Sequence, residues 1–213
     1  MPNVSKPEID FFFDVVCPYA YLAHTQIDGL RARTGVEVRW RPVLLGGLFR
    51  VIGAGDGPMP TMSANKAKLN LLDMHRWADH YGVPLAMPAE HPRRTVMAMR
   101  AVIASCDAEK AGRALYAAYW RDGLDITDET VVAQVLDEAG LDGKAITLRT
   151  SEADIKAALR SATDEAAAAG AFGVPTFVVS SPGQDPELYW GQDRIDFVER
   201  AIHRASAREG DQA

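Results

Sequence analysis

Cysteine is scarce in this chain: 213 residues hold only two, Cys17 and Cys106. Two thiols so far apart supply no disulfide framework of the kind that staples small secreted domains. Long apolar runs are missing as well, and nothing approaches the length of a membrane-spanning helix. Met1 to Pro7 holds no apolar signal core. Positive charge is in deficit, with 23 Lys and Arg against 29 Asp and Glu and a net charge of −6. That balance disfavours non-specific nucleic-acid binding, and no basic stretch offsets it. There is no internal repeat. His24, His75, His80 and His203 fall at no metal-ligand spacing with either cysteine, so no zinc or other metal is implied. What is present, 47% hydrophobic and 24% charged residues, suits one globular domain, or one domain with a large insertion. A cytoplasmic location among reduced thiols is the expectation.

The most informative stretch is residues 8–22. Ile9 to Phe13 is short, apolar and aromatic-rich, which reads as a buried strand. Asp14 to Val16 make a turn, and Cys17 precedes Pro18, a residue favoured in the first turn of a helix. Ala23, Ile27 and Leu30 recur behind it at helical spacing. Cys17 is therefore expected at the positive end of a helix, where a thiol is most easily held as a thiolate. Cys106 reads as a small buried filler.

Downstream, Arg33-Thr34-Gly35 stops the first helix. Val36 to Val43 alternates, with Val36, Val38, Trp40 and Pro42 on one side and Glu37, Arg39 and Arg41 on the other. That is a strand with one wet face, making a right-handed parallel β-α-β unit. Residues 44–60 are rich in glycine and proline and fit no phosphate-binding spacing; a mobile loop over a site is expected. Residues 61–169 are largely helical, with breaks near Gly82-Val83-Pro84, Pro88 to Pro92 and Gly123. Thr127 is placed to cap one of these helices and Ser151-Glu152-Ala153-Asp154 to open another. Strands return at Val174 to Val179 and Leu188 to Trp190, and a last helix follows Asp193, with a frayed tail after Ser206. The order is β-α-β, a helical block, then β-β-α.

These halves, with Cys17-Pro18 at the first helix and Val174-Pro175-Thr176 before the third strand, resemble a thioredoxin-like α/β fold interrupted by an all-helical insertion. Residues 1–45 and 170–213 would form the thioredoxin-like domain, and 46–169 the linker and insertion. The insertion is similar to that of bacterial disulfide oxidases (the DsbA family) and kappa-class glutathione transferases. A closer resemblance is to 2-hydroxychromene-2-carboxylate isomerases. It rests on Phe13-Asp14…Cys17-Pro18-Tyr19-Ala20-Tyr21-Leu22, Arg76-Trp77-Ala78…Tyr81-Gly82-Val83-Pro84-Leu85, Phe172-Gly173-Val174-Pro175-Thr176 and Trp190-Gly191-Gln192-Asp193-Arg194. Cys17 stands where the isomerases typically carry serine, and Ala20 stands where a disulfide oxidase needs its second cysteine.

The resemblance implies a glutathione-dependent cis–trans isomerase of an unsaturated aromatic keto acid, with Cys17 as the catalytic residue. It implies glutathione binding by Val174 and Pro175, through a cis peptide, and by Trp190, Gly191, Gln192 and Asp193. Asp193 is expected to receive the α-ammonium, to cap the last helix, or both. Asn65 and Lys66 are implied as substrate-binding residues, and a homodimer as the assembly. Arg93 and Arg94 read as surface charge. A kappa-like glutathione transferase or peroxidase, and a single-cysteine thiol oxidoreductase, are the alternatives.

Overall fold

The computed structural model describes residues 7–210; the expectations for Met1 to Lys6 and for Asp211 to Ala213 lie outside them. Four strands form one sheet in the order β2-β1-β3-β4: β1 (Glu8–Phe13), β2 (Glu37–Pro42), β3 (Thr176–Ser180) and β4 (Glu187–Trp190). β1 runs parallel to β2 and antiparallel to β3, with Phe11 opposite both Trp40 and Phe177. Central β1 is apolar on both faces because both are covered: Ile9, Phe11 and Phe13 are fully buried and Phe12 nearly so,. Phe11 sits 5.1 Å from the rings of Trp40 and Phe177. Such aromatic contacts add about 0.5–1.5 kcal/mol each beyond the area they bury. β2 alternates as expected, with Val38 and Trp40 inside and Glu37 and Arg39 outside.

The first helical stretch is two helices, α1 (Pro18–His24) and α2 (Ile27–Thr34). The break falls where Thr25 Oγ1 donates to the Leu22 C=O at 2.7 Å, a side-chain bond that competes with helix continuation. Gly35, left-handed at φ 67°, closes α2.

Residues 44–60, expected to be a loop, contain α3 (Leu45–Val51) and a 3-10 turn at Met59–Thr61. α3 forms despite Gly46-Gly47 because Leu48 is buried and the Asp14 carboxylate accepts the Leu45 N–H. Then come α4 (Ala64–Tyr81), α5 (Val96–Ala104), α6 (Ala108–Trp120), α7 (Glu129–Glu138), α8 (Gly143–Arg149) and α9 (Ala153–Ala168). Asp128, rather than Thr127, caps α7, its carboxylate accepting from Thr130 and Val131 N–H. The expected Ser151 cap is absent; Glu152 takes that position without a side-chain bond. Cys106 is exposed, not a buried filler: it occupies a left-handed turn (φ 58°) just past α5. Arg93 is an internal fastener, paired with Asp125 at 2.6 Å and Glu90 at 3.2 Å. The last helix, α10 (Ile195–Gly210), continues through the stretch expected to fray. None of the described helices is long and apolar enough to cross a membrane.

Candidate active site

The turn after β1 is held from several directions. Cys17 N–H bonds the Asp14 C=O at 3.0 Å. From α6, Tyr116 OH donates to the Asp14 C=O (3.3 Å) and Trp120 Nε1 to the Val15 C=O (2.8 Å). The buried Asp14 carboxylate accepts from Val16 N–H (3.2 Å), Leu45 N–H (2.8 Å) and Thr95 Oγ1 (3.1 Å). Burial outweighs these three donors and pushes its pKa up to about 6,. Asp14, Thr95, Tyr116 and Trp120 thus support the cysteine from positions that the sequence pattern does not mark as part of the site. The available signal was an acid ending an apolar strand, which is tolerated only where donors converge on it.

Cys17 is the N-cap of α1 but makes no side-chain cap bond. Its S–H instead donates to the C=O of Val174, with Sγ 3.1 Å from the oxygen. The sulfur is nearly enclosed, and burial pushes its pKa up to about 12. The N–H groups of Ala20 and Tyr19 pull the other way, and the Asp14 charge adds to the rise. The thiolate expectation is corrected accordingly: Cys17 is a protonated thiol at neutral pH. The partial charge at the end of a seven-residue helix does not offset the desolvation of an anion,.

The peptide between Val174 and Pro175 is cis. Thr176 Oγ1 closes this loop by donating to the Gly173 C=O at 2.7 Å. Gly191 N–H donates to the Pro175 C=O at 3.0 Å, so the two glycine-containing segments adjoin. Gly191 has φ 110°, and a Cβ there would lie 2.5 Å from Asp193 Oδ1. The backbone shape therefore demands glycine, and any side chain there would also displace the Asp193 carboxylate,. Trp190 is half exposed beside Phe172, ring centroids 4.9 Å apart, and its indole leaves no room for a side chain on Gly173. Gln192 is buried, its C=O accepting from Tyr81 OH of α4 at 3.0 Å. Asp193 is the middle residue of a 3-10 turn (Gln192–Arg194) that leads into α10, and its carboxylate lies 3.5 Å from the Arg194 guanidinium.

Tyr19, half-buried on α1, has its hydroxyl pKa raised by burial and then by Asp73, Cys17 and Asp193. Asn65 and Lys66 stand exposed on the first turn of α4. Among the described residues, no hydrogen bond or ion pair joins either side chain to the Cys17–Val174 centre. No cluster of three metal-ligating side chains occurs among the described residues. What the centre offers is a neutral thiol donor, a cis-proline backbone edge and a glycine turn carrying a carboxylate.

The DSBA-like thioredoxin domain matches residues 8–203, nearly the whole described chain. The chain belongs to the DSBA-like thioredoxin family. Within that family it stands with the 2-hydroxychromene-2-carboxylate isomerases. It is 32% identical over 193 residues to 2-hydroxychromene-2-carboxylate isomerase from Sphingobium xenophagum, covering 90% of this chain and 95% of that one. It is 28% identical to glutathione S-transferase kappa 1 of Rattus norvegicus, over 89% of this chain and 88% of the relative. A solved structure of 2-hydroxychromene-2-carboxylate isomerase superposes with a TM-score of 0.79 at 27% identity, covering 97% and 99% of the two chains. The chain thus shares sequence with both groups, and its fold with the isomerase, over nearly its full length.

Proposed function

We propose that the protein is a glutathione-dependent cis–trans isomerase acting on an unsaturated aromatic keto acid. The observation that carries the proposal is the 3.1 Å contact between the Cys17 thiol and the Val174 C=O. It joins, in one centre, the two segments that the family pattern singles out. In this reading the thiol and the carbonyl satisfy each other until glutathione arrives. The tripeptide's backbone N–H then takes the Val174 C=O, as an added strand would. The Cys17 S–H turns to donate to the glutathione thiolate. Trp190, Gly191, Gln192 and Asp193 hold the rest of the tripeptide, while from α4 Lys66 attracts a carboxylate of glutathione or the substrate and Asn65 orients the substrate.

The chemistry is addition and elimination. The glutathione thiolate adds to the conjugated C=C, and the electron pair moves onto the carbonyl oxygen as an enolate. The former double bond rotates as a single bond, and collapse of the enolate expels the thiolate. Glutathione is regenerated, so none is consumed. Cys17 stabilises sulfur anion by a positioned donor, and holding both partners in one pocket removes much of the entropic barrier. A cytoplasmic location, with its abundant glutathione, fits this need.

The test compares turnover with and without glutathione in three proteins. Cys17→Ala loses roughly a hundredfold in kcat, the scale of one missing anion-stabilising donor. Cys17→Ser, which keeps a donor, retains most of the activity. Full turnover without any thiol overturns the proposal. The similarity to the rat kappa-class transferase favours a second reading, in which a glutathione adduct or oxidised glutathione leaves as product. Mass analysis after incubation with an electrophile separates them, since only transfer or peroxidase chemistry depletes glutathione.

A further inference from the structure

Asp14 carries a charge that the fold does not neutralise. The residue is fully buried, and among the described residues it makes no ion pair. The hydrogen bonds to its carboxylate come from neutral donors: Val16 N–H in its own turn, Leu45 N–H at the start of α3 and the Thr95 hydroxyl before α5. The titratable groups that its charge reaches are Cys17 on α1 and Tyr116 and Tyr119 on α6. A carboxylate so placed costs stability at neutral pH, since burial raises its pKa to about 6,. Buried groups perturbed in this way cluster at functional sites.

Cys17 belongs to the same turn, its N–H on the Asp14 C=O at 3.0 Å. Once glutathione is bound, Cys17 faces a second sulfur. The two sulfurs share one proton, the other having left to water, so one is a thiol and the other a thiolate. Only the arrangement with the charge on glutathione can add to the conjugated C=C. A thiolate at Cys17 would leave glutathione as an idle thiol. We propose that Asp14 is the positioning residue that settles this competition: from behind Cys17, its negative charge keeps the shared proton on the protein sulfur and leaves the glutathione sulfur as the nucleophile. The inference rests on the glutathione reading above and deepens it. In that reading the glutathione sulfur lies on the outer side of Cys17, one hydrogen bond further from the carboxylate. Like-charge repulsion therefore falls harder on Cys17.

A double-mutant cycle tests this. Asp14→Asn removes the charge and nearly keeps the shape. In the otherwise wild-type chain it lowers kcat with glutathione about tenfold, the low end of what an adjacent charge does to a proton equilibrium. In the Cys17→Ser background the same change costs little, because a serine hydroxyl does not compete for the charge. Equal losses in the two backgrounds make Asp14 a structural support only and overturn the proposal. Iodoacetamide labelling at about pH 9 reads the same effect without turnover, since the thiolate is the species that reacts. Cys17 is labelled severalfold faster in Asp14→Asn than in the wild type, and an unchanged rate overturns the proposal. If Asp14→Asn does not fold, Thr95→Val replaces it, keeping the carboxylate but removing a donor that lowers its pKa. The rise of kcat through about pH 6 then moves to higher pH, and an unmoved rise overturns the assignment. A wild type without glutathione-dependent turnover removes the proposed function, whereas the labelling comparison still decides whether Asp14 holds the proton on Cys17.

Discussion

At the scale of single residues, the two cysteines exchange the roles that their neighbours in sequence suggest. Cys17 follows a strand and starts a helix, yet its sulfur is enclosed, engaged with the Val174 C=O and pushed up to about 12 by burial. Cys106, in a stretch that reads as core, is exposed in a left-handed turn. Alkylation needs both a thiolate and access. Brief treatment with iodoacetamide at neutral pH, followed by peptide mass analysis, is expected to label Cys106 and leave Cys17 largely untouched. Raising the pH should accelerate labelling at Cys17. If Cys17 reacts first at neutral pH, it is an activated nucleophile, and its role as a hydrogen-bond donor is wrong. The same enclosure argues against the thiol-oxidoreductase alternative, which needs an accessible thiolate and, with Ala20 three residues on, lacks a resolving partner.

At the scale of elements, the site depends on how α1 lies against α6. His24 of α1 stacks on Tyr116 of α6, centroids 4.6 Å apart and planes 13° from parallel, with its Nδ1 against the Tyr21 C=O. Tyr116 in turn holds the Asp14 C=O beneath the cysteine. Burial lowers the His24 pKa from 6.5 to about 4, the Tyr21 C=O opposing and Arg113 assisting. The native state then binds fewer protons than the unfolded chain between those values. The contribution of His24 is complete above the unfolded pKa and is lost as pH falls toward the folded one. From neutral pH down to about 4, the wild type should lose on the order of 3 kcal/mol more stability than His24→Phe, which fills the ring space without titrating. Urea unfolding across that range measures it, and parallel curves for the two proteins would show that the imidazole is not held neutral.

β1 and β2 were legible because burial on two faces or one writes itself as a run or an alternation. Cys17, Val174 and Gly191 were legible because a turn that only proline or glycine can make leaves its residue in the chain. α3 was hidden behind Gly46-Gly47, since its N-terminus is satisfied by Asp14, 31 residues earlier. The direction of the Cys17 shift was hidden too. It depends on enclosure by segments from both ends of the chain, which no local window contains.

At the scale of the whole molecule, α4 is a long helix that the fold leaves largely uncovered. It spans 18 residues but buries only Met74 and Ala78. Leu69, Leu71 and Leu72 remain 56%, 42% and 47% exposed, and Val51, Ile52 and Met59 nearby in the chain are exposed as well. A helix that long normally stays formed by burying an apolar stripe. The occupant we propose is a second copy of the chain. Fully covering a half-exposed leucine yields on the order of 1 kcal/mol, so the leucines of two copies together give about 6 kcal/mol. Association alone costs an estimated 4–15 kcal/mol. The leucines by themselves give a weak dimer at best, and a stable one must also cover Val51, Ile52 and Met59. With Val51, Ile52 and Met59 covered as well, sedimentation equilibrium should report twice the chain mass, and a Leu69→Lys, Leu72→Lys double variant should sediment as a monomer with its helical circular dichroism retained. A wild-type protein that stays monomeric at every concentration tested would leave α4 to some other partner and remove the dimer from this account.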